Sequence, residues 1–68
     1  MPIPITVNGQ PATALQGQTL LELLRSLQID PERVAIELDR RIIRRAAWET
    51  TQVAPGAQIE IVQFVGGG

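Results

Sequence analysis

A chain of 68 residues, 44% of them hydrophobic and none of them cysteine, makes one small globular domain with a modest core and no disulfide staple. Its formal net charge of −1 gives no overall field to gather nucleic acid. With no His, Cys, Lys or Tyr, the common metal ligands and the Cys–His and Ser–His nucleophiles are excluded, the seven acids stand singly, and Ser26 has no evident base.

In chain order, Met1–Pro4 is a proline-spaced lead-in and Ile5-Thr6-Val7 alternates as a strand does. Pro4 cannot donate to a ladder, so it is expected at the strand's first residue and not inside it. Asn8-Gly9 is a type I′ hairpin signal. Gln10–Leu15 returns as the second strand, weakened by Pro11 and therefore expected near an edge. Thr19-Leu20-Leu21-Glu22 fits a capping box, in which the Thr oxygen and the Glu carboxylate each satisfy an orphan N–H. The helix it opens is predicted over Leu20–Gln28. Leu20, Leu23, Leu24 and Leu27 fall within an arc of roughly 100°, the width of a core-facing stripe, and Asp30-Pro31 is expected to end it.

Asp30-Pro31 could equally open a second helix. On a helical wheel, however, Val34, Ile36, Leu38, Ile42 and Ile43 scatter, whereas on a strand Val34, Ile36 and Leu38 share a face. The prediction is a strand over Val34–Leu38, a turn at Asp39-Arg40 and a short strand over Arg41–Ile43. Arg40, Arg41, Arg44 and Arg45 concentrate four of the six arginines in six residues. They read either as a docking patch for an acidic surface or RNA phosphates, or as a solvated turn and edge that blocks aggregation. Trp48 reads as core or as a lid over its edge. Ala54–Ala57 is the turn into a final strand.

That strand runs from Ile59 into Gly66-Gly67-Gly68. Ile59 and Ile61 are expected on the core face with Glu60, Val62 and Phe64 opposite. Val62 and Phe64 are thus either an exposed apolar patch beside the tail or the covered end of a central strand. Three glycines continue a strand poorly. The expectation is a domain over residues 1–65 and a flexible tail over 66–68, whose terminal carboxylate is the working group. No basic segment precedes a long apolar run, so neither a signal peptide nor a membrane span is expected, and the lack of cysteine fits the cytoplasm.

The order of hairpin, helix, strand, short strand and final strand resembles the ubiquitin-like β-grasp. This is an α+β fold with a mixed four- to five-stranded sheet and one main helix packed across it. More closely, the chain resembles the ThiS family of sulfur carriers. The matching pieces are Val7-Asn8-Gly9, Gly17-Gln18-Thr19-Leu20 with Glu22-Leu23-Leu24, Ile42-Ile43 with Arg45 and Trp48, Gly56 before Ile59–Val62, and Gly67-Gly68. Departures are Asp39-Arg40 where an Asn-containing turn is frequent, Arg44 where Pro is common, and Pro55 and Ala57 in place of acids.

The resemblance implies a carrier, not an enzyme. By that resemblance Gly68 would be adenylated by a ubiquitin-activating-like partner that uses ATP and Mg²⁺. It would then be converted to a thiocarboxylate by a sulfur donor such as a cysteine desulfurase or rhodanese-type protein, and read by thiazole synthase for thiamine. Gly66 and Gly67 would thread partner active sites. Val62, Phe64, Arg40, Arg41, Arg44 and Arg45 form the candidate docking surface. The chain itself would hold no cofactor or metal and engage neither nucleic acid nor membrane. Alternatives are the small subunit of molybdopterin synthase, a non-covalent β-grasp binding module, and an RNA-binding domain that uses the arginines.

Overall fold

The computed structural model describes residues 1–64. The expectations placed on Val65, Gly66, Gly67 and Gly68 lie outside the described residues. Five strands form one mixed sheet: β1 (Pro2–Val7), β2 (Gln10–Leu15), β3 (Val34–Leu38), β4 (Arg41–Ile43) and β5 (Gln58–Gln63). The spatial order is β2-β1-β5-β3-β4, with β5 parallel to β1 and antiparallel to β3. One helix, α1 (Leu20–Ser26), covers one face, and single 3₁₀ turns occupy Pro31–Arg33 and Arg45–Ala47.

The pleat decides which residues meet α1. Ile3 and Ile5 of β1, Ala14 of β2, Ile59 of β5, and Val34 and Ile36 of β3 are buried with Leu20, Leu23 and Leu24 of the helix. The long link between β4 and β5 completes this core. It contributes buried Trp48, Val53 and Ala57. Trp48 is core, and its indole Nε1 donates to the Ile43 carbonyl at 2.9 Å, so the ring is buried without an orphan N–H. The same link satisfies the helix start: Leu20 N–H donates to Thr51 O and Leu21 N–H to Trp48 O.

The capping box forms as expected. Glu22 N–H donates to Thr19 Oγ1 at 3.2 Å, and Thr19 N–H donates to Glu22 Oε1 at 2.9 Å. The helix end differs. It stops at Ser26, not Gln28, because Gln28 turns left-handed (φ 60°) and closes a Schellman motif. In that motif Gln28 N–H donates to Arg25 O and Ile29 N–H to Leu24 O. Leu27 therefore sits at the cap, 40% exposed, and leaves the predicted four-leucine stripe with three members. Asp30 does not end α1. Its Oδ1 accepts from Glu32 N–H at 2.9 Å and caps the 3₁₀ turn that feeds β3.

Pro4 is also a correction: it lies inside β1, opposite Thr13. The ladder explains why this is tolerated. Gln16 N–H donates to Met1 O, so odd residues of β1 bond β2 and even ones face the other way. On that other side β1 joins β5 only from Thr6 onward. Pro4 needs no donor there, and its carbonyl accepts from Gly56 N–H at 2.7 Å. The same parity turns the donor-less nitrogen of Pro11 toward the open edge of β2, the expected place for it.

Two two-residue turns reverse the chain beside β5. Asn8-Gly9 takes φ values of 52° and 79°, and Asp39-Arg40 takes 50° and 71°. Both are type I′ in sign, and the second is built without glycine. No helix among the described residues is long and apolar enough to cross a membrane.

Candidate functional site

The candidate site is the end of β5, the stretch that immediately precedes Val65 and the three glycines in sequence. Even-numbered residues of β5 direct their backbone groups to β3, which is why Phe64 N–H donates to Arg33 O at 2.8 Å. Their side chains point away from α1. Val62 and Phe64 are 55% and 59% exposed, on the helix-free face assigned to them by alternation. Ile59 is buried and Ile61 half-buried on the helix face, with Gln63 exposed beyond them.

The register extends the patch to residues that alternation within β5 cannot reveal. Ala35 lies directly opposite Val62, and Ile42, 76% exposed, lies opposite Glu37 and so on the same face. A hollow of about 280 Å³ at this corner has Glu32, Ala35, Ile42, Arg44, Arg45 and Phe64 among its lining residues. The signal for Ile42 was present in the chain, since strand alternation separates it from half-buried Ile43. Its value emerges only once β4 is paired with β3.

All four arginines of the cluster are exposed, but the fold separates them. Arg44 and Arg45 stand beside Phe64. Arg40 and Arg41 lie at the other end of β4, on the turn and the first strand residue. Arg45 is engaged: its Nη2 reaches Pro31 O at 3.1 Å and Glu32 Oε1 at 3.3 Å. Being exposed, this ion pair adds at most about 1 kcal/mol; it chiefly orients the corner. The surface at the end of β5 is thus an apolar strip edged by Arg45, which is paired, and Arg44, which makes no ion pair among the described residues, while Arg40 and Arg41 form a separate basic tip. Among the described residues no group of three or more His, Cys, Asp or Glu is placed to hold a metal ion.

Sequence reasoning treated Asn8 only as a turn residue. Its side-chain amide in fact bonds both backbone groups of Ile61. Ile61 N–H donates to Asn8 Oδ1 at 2.7 Å, and Asn8 Nδ2 donates to Ile61 O at 3.2 Å. Local pattern gives no hint of a contact across 53 positions.

A five-stranded mixed sheet crossed by one helix, with its last strand central and leading to the chain's end, defines the ubiquitin-like β-grasp class. Residues 5–68 match the ThiS family, and the chain belongs to that family. The crystal structure of the thiamine biosynthesis protein ThiS from Geobacter metallireducens is 35% identical and superposes with a TM-score of 0.85, covering 97% of this chain and all of that one. A thiazole synthase of Magnetococcus marinus is 39% identical over 64 residues, covering 94% of this chain. The chain spans only 20% of that synthase's length. The uncharacterised ycf40 protein of Porphyra purpurea is 32% identical over 66 residues, covering 97% of this chain and 93% of that protein.

Proposed function

We propose that this chain is a sulfur carrier for thiamine-thiazole formation, with the Gly68 carboxylate as the group that carries sulfur. The observation that carries this reading is the family match, which runs through Gly68 itself. The thiazole synthase relative, part of which resembles this chain, favours the thiazole pathway over molybdopterin and supports a thiazole synthase as the receiving partner.

The chemistry is set by the carboxylate. Ionised at neutral pH, it is a poor electrophile and must first acquire a leaving group. A carboxylate oxygen attacks the α-phosphorus of ATP in the adenylating partner, and pyrophosphate departs. A sulfur nucleophile from the donor protein then adds to the acyl carbon and expels AMP. Where that nucleophile is a persulfide, a second thiol opens the resulting acyl disulfide to leave the thiocarboxylate. ATP and Mg²⁺ belong to the partner. With no Cys, this chain cannot hold sulfur as a side-chain persulfide, so the terminus is the available carrier.

The test is co-expression with an adenylating enzyme and a sulfur source, thiol alkylation, and intact and fragment mass measurement. The uncharged chain has no thiol. An alkylated adduct mapped to Gly68 is the expected result. Recovery of only the plain carboxylate, from an enzyme preparation that charges another carrier, removes the proposal's support.

The helix-free strip is the proposed docking surface, with Val62 and Phe64 at its centre and Arg44 and Arg45 at its margin. Fully covering one such apolar side chain is worth about 1.5–3 kcal/mol. The double variant Val62→Ser, Phe64→Ser is therefore expected to weaken binding to the adenylating partner by at least about tenfold. Its unfolding midpoint should change little, because both side chains already face solvent. Titration of the variant against the partner checks this, and unchanged affinity would remove these residues from the interface. Arg40→Ala, Arg41→Ala serves as the comparison at the separate basic tip.

A further inference from the structure

We infer that Asn8 is a positioning residue for the carrier reaction: it anchors β5 on its β1 side at Ile61, just past the end of the pairing with β1. This inference rests on the sulfur-carrier reading above. It starts from the two type I′ turns that flank β5. Each places its first residue in the left-handed region, and each sends that residue's side chain back to β5. Asp39 holds the strand's beginning. Its N–H donates to Gln58 O at 2.8 Å, and its Oδ1 accepts from Gln58 N–H at 2.9 Å. Asn8 holds the strand near its end. Its N–H donates to Ile59 O at 2.8 Å, and its amide takes both backbone groups of Ile61.

β1 itself pairs with β5 only at Thr6 and Val7. The Asn8 amide thus stands in for one further strand residue, with a donor and an acceptor spaced like those of a peptide group. Beyond it no further β1 residue pairs with β5, and the helix-side face of the strand end opens onto a notch of about 420 Å³ lined by Val7, Asn8, Ile29, Val34, Ile61 and Gln63. Among the described residues, Val62, Gln63 and Phe64 are then held from the β3 side, through β3 and the Arg33 carbonyl. The end of β5 is thus held by a ladder on the β3 side and by the single Asn8 clamp on the β1 side. Without the Asn8 anchor, the exit segment can swing about its β3 bonds. Only a fraction of the molecules would then present Val62, Phe64 and the terminus together. The apparent affinity for a partner that reads both falls by that fraction, while the docked complex reacts at its usual rate.

The test compares Asn8→Gly with Asp39→Gly in the full chain. Glycine keeps the positive φ at either turn, so each variant removes the clamp and leaves the reversal intact. Asn8→Gly loses two neutral hydrogen bonds and Asp39→Gly one charge-assisted bond, which makes their costs to global stability comparable. The readouts are amide hydrogen exchange by NMR and ATP–pyrophosphate exchange by the adenylating partner at varied carrier concentration. For Asn8→Gly the Ile61 amide is expected to exchange about tenfold faster, and the half-saturating carrier concentration to rise about three- to tenfold, with the maximal rate unchanged. For Asp39→Gly the Gln58 amide should be exposed, with half-saturation unchanged.

Equal shifts in half-saturation for the two variants would make Asn8 a merely structural residue and overturn the inference. So would an exposed Ile61 amide with unchanged half-saturation, a loss confined to the maximal rate, or an Ile61 amide that stays protected. If the unaltered chain is not charged at all, the carrier reading fails and the positioning role goes with it. The Ile61 exchange rate still reports the clamp in that case, so the two failures are told apart.

Discussion

Removal of Gly67 and Gly68 is expected to abolish thiocarboxylate formation and leave the fold untouched. The shortened chain still ends on a glycine carboxylate, that of Gly66, so the reacting group is kept and only its reach changes. Two residues of extended chain span at most about 7 Å. A misplacement of about 1 Å at a reacting centre already costs roughly a hundredfold in rate. The carboxylate of the truncated chain therefore stops short of the α-phosphate once the sheet face is seated on the partner. The expected result is no alkylated adduct, a drop of at least about a hundredfold in ATP–pyrophosphate exchange, and an unchanged thermal midpoint. Stability should be unaffected because, among the described residues, the core runs from Ile3 to Ile59. Binding through Val62 and Phe64 should survive. That combination separates a carrier from a non-covalent binding module, whose function would persist. Normal charging of the truncated chain would mean that the terminus is not the working group.

How far the sequence led depended on the range of the interaction involved. The capping box, the Asn8-Gly9 turn and the alternation of Val34–Leu38 are each decided within a few residues, and they stand as read. The end of α1 was not legible, because Gln28 in the left-handed region carries none of the glycine signal that usually marks a Schellman motif. Pro4 misled for a different reason. Its missing donor matters only if a neighbour strand is alongside, and β5 reaches β1 two residues later. The exposed strip proposed for docking was half legible. Val62 and Phe64 follow from alternation in one strand, whereas Ala35 and Ile42 join them only through the β3 register. The arginine cluster was one object in sequence and became two places in space, since a three-residue strand separates Arg40 from Arg44. The contact between Asn8 and Ile61 is topological: it needs the parallel pairing of the first and last strands, which no local pattern encodes.

The leucine stripe of α1 yields the other large effect. Leu24→Ala is expected to destabilise the domain by about 2–5 kcal/mol, since a fully buried leucine loses both its transfer energy and the packing around the void. Leu24 has no exposed surface and lies against the sheet with Leu20 and Leu23. Leu27→Ala is expected to cost under about 1 kcal/mol, because that side chain sits at the helix cap, 40% exposed, and its removal opens no closed cavity. The sizes matter because a domain of this length has a total stability of roughly 3–10 kcal/mol. In a domain this small each kcal/mol is worth about 4–8 °C, so Leu24→Ala should lower the melting midpoint by at least about 8 °C and Leu27→Ala by a few degrees at most. Urea titrations should show the same ordering as a shift in midpoint with unchanged slope. Equal losses for the two variants would mean that α1 continues through Leu27 in solution and that the left-handed turn at Gln28 does not form. The segment from Ile29 would then approach β3 at a different angle. Because the Arg33 carbonyl that holds Phe64 immediately precedes β3, and β3 carries Ala35, the geometry at the end of β5 depends on where this helix stops.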